Sequence, residues 1–234
     1  FGRDAGMLER LSRESGVKIL AVTGFHKLMF MEKDAGLEKL GEEALMALFS
    51  EEITGGMKDC GKTLWGVRAG LVKGAFEEGG LGHPVYSRLF RAVAATAAKT
   101  GAPVLIHTER DTDIFSLIRF FEGYGVWASR LMLCHLDRTH YDAGYHKEVL
   151  AAGCFLCYDS VKRTKYVSHE QELGLIATMC KAGYEDRIVL SLDTTNRRLR
   201  SYYSQDMGLD YILKEYIPML RQAGITRQQI RKMC

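Results

Sequence analysis

Short apolar runs that lead into a single polar residue recur along this chain. The runs are bounded by glycine and polar clusters, a pattern typical of strands that are buried on both faces of a parallel sheet. Polar side chains at the carboxyl ends of such strands often carry the chemistry of α/β barrels. Four runs end on a residue type that binds metals or anions: His107 after residues 104–106, His135 after 131–134, Asp193 after 188–192 and Lys73 after 69–72.

Segments with helical spacing of apolar residues separate these runs. Ser168 with Gln171 and Thr226 with Gln229 form capping-box patterns, which mark helix starts. The pattern predicts helices over residues 5–15, 41–54, 85–99, 112–122, 142–151, 168–182 and 209–220, and a short last helix after residue 226. It predicts strands over residues 17–23, 65–73, 104–107, 131–135, 155–159 and 188–193.

Strands that alternate with helices indicate an α/β fold with a parallel sheet, either doubly wound or closed as a barrel. The first predicted strand is not followed by the glycine-rich fingerprint of a dinucleotide fold, and the candidate ligands follow non-adjacent strands. We therefore expect a (β/α)8 TIM barrel, present here as a fragment of six βα units that lacks the first two strands. Residues 1–234 form one domain in this interpretation. The two uncovered strand edges would be exposed or covered by a partner chain, as in a homodimer.

Composition narrows the function classes. The chain has 234 residues, of which 47% are hydrophobic and 26% charged, and a net charge of +3, which is too small to indicate a nucleic-acid partner. No apolar run approaches the roughly 18 residues of a membrane span. The six cysteines lie mostly inside strand and helix patterns, as in reduced cytosolic proteins, so we expect a cytoplasmic protein.

An ordered set of short motifs resembles the phosphotriesterase family of the amidohydrolase superfamily, which includes lactonases. The motifs cover nearly the whole chain, and their order makes the resemblance specific although each motif alone is weak. They are Gly2-Arg3-Asp4, Thr23-Gly24-Phe25, Arg68 to Lys73, Thr100 to Pro103, His107-Thr108-Glu109, His135-Leu136-Asp137, Ser191 to Thr195, Gly208 to Tyr211 and Ile217 to Leu220.

The resemblance implies a pair of divalent metal ions, expected to be zinc. By position, Lys73, His107, His135 and Asp193 match four of the family's ligands, and Asp193 also matches its proton shuttle. A hydroxide that bridges the metals would attack the substrate. Lys73 would carry a carbamate derived from CO2, which turns the side chain into a bridging anion. The family's His-x-His pair has no counterpart in this sequence.

Two basic clusters follow strands at the predicted active face. One contains Lys162, Arg163 and Lys165, and the other contains Arg197, Arg198 and Arg200. Lys162, Lys165, Tyr166 and Arg197 are the candidates for binding a phosphate or carboxylate of an anionic small-molecule substrate. His26 is expected to shape the pocket. Asn196 stands where relatives often have arginine.

The predicted function is the opening of a lactone, with a phosphorylated sugar lactone as one candidate. Phosphotriester hydrolysis is the alternative reaction, because both electrophiles develop negative charge on oxygen. A non-catalytic barrel remnant that binds an anion is a second alternative. A thiol redox protein that uses Cys154 and Cys157 is a third, although a strand would point these side chains to opposite faces.

Overall fold

The computed structural model describes residues 4–31, 36–59, 62–77, 79–195 and 208–234. The chain divides into two compact units, Phe1–Met132 and Leu133–Cys234. Among the described residues, six strands belong to the parallel sheet and two form an antiparallel hairpin. This confirms the α/β class.

The first unit builds on parallel strands that pair in the order β1, β4, β5. Its strands are β1 Val22–Gly24, β2 Gly56–Asp59, β3 Lys62–Trp65, β4 Leu71–Phe76 and β5 Val104–Thr108, and β6 Leu131–Cys134 contains the unit boundary. Its helices are α1 Ala5–Ser15, α2 Leu28–Met31, α3 Glu42–Thr54, α4 Pro84–Thr100 and α5 Ile114–Gly123, with short 3-10 turns at Leu37–Lys39, Gly80–Gly82 and Ala128–Arg130.

The second unit contains β7 Phe155–Tyr158 and β8 Ile188–Leu190, which pair in parallel. Both predicted capping boxes, at Ser168 and Thr226, are present. The helices are α6 Leu136–Thr139, α7 Ala143–Ala151, α8 His169–Lys181, α9 Ile217–Gln222 and α10 Arg227–Met233, with a 3-10 turn at Glu185–Arg187 and a π-helical turn at Ile212–Tyr216. None of the helices that the structure describes is long and apolar enough to cross a membrane.

Two predicted strands begin at different residues in the structure, and the strand predicted over residues 188–193 ends at Leu190, three residues before Asp193. The prediction over residues 65–73 is wrong at its start, because Trp65 ends β3, which pairs antiparallel with β2, and β4 begins at Leu71. The prediction over residues 17–23 is too long at its start. The register pairs Val22 with Leu71, so β4 offers partners to β1 only from Val22 onward. Strand formation here follows the partner strand, which local sequence does not reveal.

Phe90 of α4 is the centre of the aromatic core of the first unit. Its ring centroid lies 5.2 Å from that of Phe25, 5.7 Å from Phe76 and 6.3 Å from Phe121, with edge-to-face geometry. Gly74 of β4 permits this packing, because a Cβ atom there would lie 2.9 Å from the Phe90 ring. The helix is thereby held close against the strand that carries Lys73.

His146 and Tyr158 form a buried polar contact in the second unit. Nε2 of His146 lies 2.8 Å from the His140 carbonyl oxygen, to which it donates. Nδ1 therefore accepts from the Tyr158 hydroxyl at 2.8 Å. Burial lowers the pKa of His146, which favours the neutral ring that this pairing requires.

Replacing Gly24 tests the close approach of β1 and β4. Gly24 has φ of 108°, and a Cβ atom there would lie 2.1 Å from the Lys73 carbonyl oxygen. We expect Gly24→Ala to lower the free energy of unfolding by about 2 kcal/mol or more, measured by urea denaturation. Gly82→Ala is the control, because a Cβ there meets nothing within 4 Å. Equal stability of the two variants would contradict the described β1–β4 packing.

Glu172 of α8 makes stability depend on pH. Burial, with the charge of Asp137 added to it, raises the pKa of Glu172 to about 8. The native state therefore keeps a proton that the unfolded chain releases, and the free energy of unfolding falls as pH rises from about 4.5 to about 8. In metal-free protein, we expect a shallower fall for Glu172→Gln, measured by urea midpoints. Glu170→Gln, at an exposed position of the same helix, should keep the wild-type slope.

Candidate metal centre

His135 follows β6 directly and has an unusual backbone conformation. Its φ of 74° lies in the left-handed region, which non-glycine residues seldom adopt. The backbone N–H is held by two acceptors, Oδ2 of Asp159 at 3.1 Å and the Cys157 carbonyl oxygen at 3.3 Å. Both acceptors lie on β7 or just after it, so the chain of the neighbouring strand fixes the direction of the His135 ring.

The His135 ring is also fixed by Asp159. Nδ1 of His135 lies 2.6 Å from Oδ1 of Asp159, and both side chains are buried. Because the carboxylate accepts from Nδ1–H, Nε2 presents its lone pair, the form that binds a metal ion. Burial raises the pKa of Asp159 to about 7. The positive charge of Arg138 opposes this rise, and the negative charge of Asp193 adds to it.

Asp193 lies between two arginines. Oδ2 of Asp193 accepts from Nη1 of Arg138 at 3.0 Å and forms a short ion pair with Nη1 of Arg163. Burial alone would raise the pKa of Asp193, but electrostatic interactions with His135, Arg163 and Arg138 hold it below its ordinary value. Asp193 is therefore an ionised carboxylate at neutral pH.

These residues form a donor group suited to a divalent metal. One donor atom each from His135, Asp159 and Asp193 lies within 4.8 Å of the others. An imidazole nitrogen and carboxylate oxygens are typical ligands of zinc and similar ions. His135 and Asp193 therefore offer donor atoms of the right type close together, with Asp159 orienting the His135 ring. Their roles as metal ligands stay a prediction.

Sequence reasoning missed Asp159 and Arg138 as parts of this site. Asp159 ends a predicted strand, like the nominated ligands, and this signal could have found it. Arg138 lies three residues after His135, and its contact with Asp193 spans 55 positions. No local pattern marks such a contact. Arg138 contacts both acids, with Nη1 3.0 Å from Oδ2 of Asp193 and 3.6 Å from Oδ1 of Asp159.

His107 lies near the end of β5 in the first unit and is buried. Its Nε2 lies 2.9 Å from Oε1 of Glu109, which also forms a short ion pair with Lys27. Lys27 is held in turn by Glu77 at 3.4 Å. Because Nε2–H of His107 donates to Glu109, Nδ1 is the ring nitrogen that keeps a lone pair. In His135 that nitrogen is Nε2. Its role as a metal ligand stays a prediction.

Lys73 is not at the end of its strand, which corrects the sequence interpretation. It is the third residue of β4, which continues to Phe76, and its side chain is half-buried. The register pairs Lys73 with Leu105 and Ala75 with His107. Since side chains two apart point to one face, Lys73 and His107 lie on the same face of the sheet. Their distance from His135 and Asp193 stays a prediction.

His26 lies beside His107 in the first unit, with ring centroids 5.2 Å apart. The ring also contacts Phe30 at 5.1 Å. A cavity of about 950 Å³ in this unit is lined by His26 and Lys73 together with apolar residues that include Phe25 and Phe30. Whether this cavity binds the substrate, with His26 shaping it, stays a prediction.

Tyr166 is the centre of the first basic cluster. Nζ of Lys165 lies 4.5 Å from the centre of its ring, and the guanidinium carbons of Arg138 and Arg163 lie at 5.1 Å and 5.6 Å. The hydrogen bond to Lys165 lowers the pKa of the Tyr166 hydroxyl against the effect of burial. Lys162 points elsewhere, with Nζ 4.8 Å from the centre of the Tyr211 ring.

The second basic cluster, Arg197, Arg198 and Arg200, lies outside the described residues, as does Asn196. Cys154 and Cys157, the residues of the redox alternative, form no disulfide. The Cys157 sulfur lies within 4.8 Å of the Cys134 sulfur on the neighbouring strand.

Comparisons with known proteins agree with this architecture. The family model of the phosphotriesterase family matches residues 1–234. The phospho-furanose lactonase of Mycoplasmopsis synoviae is 27% identical over 244 residues, 98% of this chain and 69% of that protein.

Two solved structures extend the comparison to the fold. The phosphotriesterase homology protein of Escherichia coli, crystallised with phosphate in its active site, superposes with a TM-score of 0.86 at 24% identity, covering 99% of this chain and 77% of that one. A variant of the organophosphorus hydrolase from Deinococcus radiodurans superposes with a TM-score of 0.78 at 25% identity, covering 99% of this chain and 73% of that one. These neighbours are TIM barrels, which confirms the predicted fold class. The chain thus belongs to the phosphotriesterase family, a family of binuclear metal-dependent hydrolases.

Proposed function

We propose that this protein hydrolyses a lactone, and that its substrate is a phosphorylated sugar lactone. The observation that carries the proposal is the group formed by His135, Asp159 and Asp193, whose donor atoms lie within 4.8 Å of one another beside two arginines. The similarity to the lactonase of M. synoviae supports the reaction class. In the reaction, water adds to the acyl carbon, the ring C–O bond breaks, and the alkoxide oxygen takes up a proton.

Two divalent ions, proposed to be zinc, would be held by Lys73, His107, His135 and Asp193, with Lys73 as its carbamate. When bound, such ions polarise the substrate carbonyl and lower the pKa of water. Asp159 positions His135 through the 2.6 Å hydrogen bond, and Glu109 does the same for His107 at 2.9 Å. These carboxylates select which ring nitrogen each histidine offers.

Asp193 is the proposed proton acceptor. Although burial raises the pKa of its carboxyl, electrostatic interactions with His135, Arg163 and Arg138 lower it overall, so the group is ionised at neutral pH, the form that a proton acceptor requires. Arg138 and Arg163 both contact Oδ2, which holds the carboxylate in one orientation. A proton taken by Asp193 can then pass to the leaving oxygen of the opened ring.

The substrate anion is proposed to bind at the basic loops. Lys165 and Tyr166 form a cationic and aromatic surface next to the arginines that hold Asp193. Lys162 and Arg197 are proposed to add charge, and His26 to line the pocket. The phosphate in the E. coli relative's active site shows that a family fold can hold such a group.

Phosphotriester hydrolysis is the second candidate reaction. The similarity to the organophosphorus hydrolase of D. radiodurans favours it. A phosphoryl centre and a lactone carbonyl both gain negative charge on oxygen in the transition state, so the same electrostatic environment stabilises both. Comparing kcat/KM for a phosphorylated lactone with kcat/KM for a phosphotriester decides between the two reactions, because the larger value identifies the favoured substrate.

Replacing Asp193 tests the hydrolase. We expect Asp193→Asn to lower kcat for lactone opening by about a hundredfold or more, because the proton acceptor is lost. Removing metal with a chelator should abolish turnover, and zinc should restore it. Asp186→Asn, at an exposed position, should keep wild-type activity. Anion binding without turnover in metal-loaded wild-type protein would favour the non-catalytic alternative.

Replacing Lys165 tests the anion site. We expect Lys165→Ala to lower kcat/KM for a phosphorylated lactone roughly ten- to hundredfold, the loss of one charge-assisted hydrogen bond of about 1.5–3 kcal/mol. The unphosphorylated analogue should be little affected. Lys147→Ala, at an exposed position of α7, is the control. Equal losses for both substrates would mean that Lys165 supports the loop and does not bind phosphate.

A further inference from the structure

Two cysteines on adjacent strands lie beside Asp159. Cys134 ends β6 and Cys157 is the third residue of β7. Both thiols are buried, and neither forms a disulfide. The two sulfur atoms and one carboxylate oxygen of Asp159 lie within 4.8 Å of one another. The proposed hydrolysis uses neither thiol.

The donor set differs from that of the hydrolytic centre. Thiolate sulfur is a soft ligand that selects zinc, cadmium or copper(I), whereas imidazole and carboxylate suit a wider range of ions. Tetrahedral zinc with Zn–S bonds of about 2.3 Å places two sulfur ligands about 3.8 Å apart. The two sulfur atoms and the carboxylate oxygen already lie within 4.8 Å of one another, so small side-chain movements suffice to bring all three donors onto one ion.

The surroundings of the thiols also favour a cation. The Asp159 carboxylate belongs to the same donor group as the two sulfur atoms. A carboxylate in this position attracts a divalent ion, which would displace the thiol protons on binding.

We propose that Cys134, Cys157 and Asp159 form a binding site for a soft divalent metal ion, zinc or cadmium, separate from the pair of hydrolytic metals. Asp159 is the link between the two sites, because its carboxylate also holds Nδ1 and the backbone N–H of His135. An ion on the sulfurs would share this carboxylate with His135. Occupation of the thiol site would thus act on the orientation of a predicted ligand of the hydrolytic centre.

Cadmium is the probe for this site, because thiolate-to-cadmium charge transfer gives an ultraviolet absorption that nitrogen and oxygen ligands do not. Protein kept reduced with a non-thiol reductant is titrated with cadmium. Every variant carries Cys234→Ser, because this thiol is exposed, and Cys60→Ser, because Cys60 lies outside the described residues. We expect a saturable band that Cys134→Ser and Cys157→Ser each abolish or weaken at least tenfold in affinity. Cys154→Ser is the matched control, since Cys154 is buried near the same strand and outside the donor group.

A band that survives both Cys134→Ser and Cys157→Ser, or no band in reduced protein, would overturn the proposal. Should the serine variants fail to fold, cadmium-113 NMR of protein with all three residues intact decides, because sulfur ligation moves the resonance far downfield of oxygen and nitrogen ligation. An upfield resonance alone would overturn the site. Asp193→Asn separates this inference from the hydrolase, because it should keep the cadmium band while activity is lost.

Discussion

The stability of the second unit depends on how its buried acidic side chains are neutralised, by protonation or by a nearby positive charge. Asp137, Asp159 and Glu172 are each almost fully buried, and burial raises the pKa of all three to about 7 or 8. Arg138 supplies positive charge to this group through its contacts with Asp159 and Asp193. An unpaired buried charge is strongly destabilising, so the position of this guanidinium constrains the whole site.

The same charges prepare the site for metals. Carboxylates that are held close together without a metal repel one another, and a bound cation relieves that repulsion. Two of the residues involved, His135 and Asp193, also have positive φ, 74° and 43°. Strained backbone of this kind often marks functional sites, where the surrounding structure maintains it. Stability and chemistry therefore make opposite demands on the second unit.

The first unit depends instead on how closely α4 and β1 pack against β4. Phe90 brings α4 against β4 at Gly74, and Gly24 lets β1 approach the backbone of Lys73. These two glycines set how closely the elements pack around the strand that carries Lys73. The parallel register then places Lys73 and His107 on one face. Close backbone packing therefore positions Lys73 and His107, the predicted ligands that lie in the first unit.

The sequence by itself determined the alternation of strands and helices, the capping boxes and the residue types that follow strands, because these depend on local spacing and on which side chains bind metals. His135 and Asp193 were found in this way. Tertiary structure decided that β4 starts at Leu71, that Arg138 contacts Asp193, and that Asp159 holds His135. Strand bounds depend on the partner's register, and these contacts join residues 24 to 55 positions apart. Such pairings arise only when separate strands align, so no local pattern encodes them.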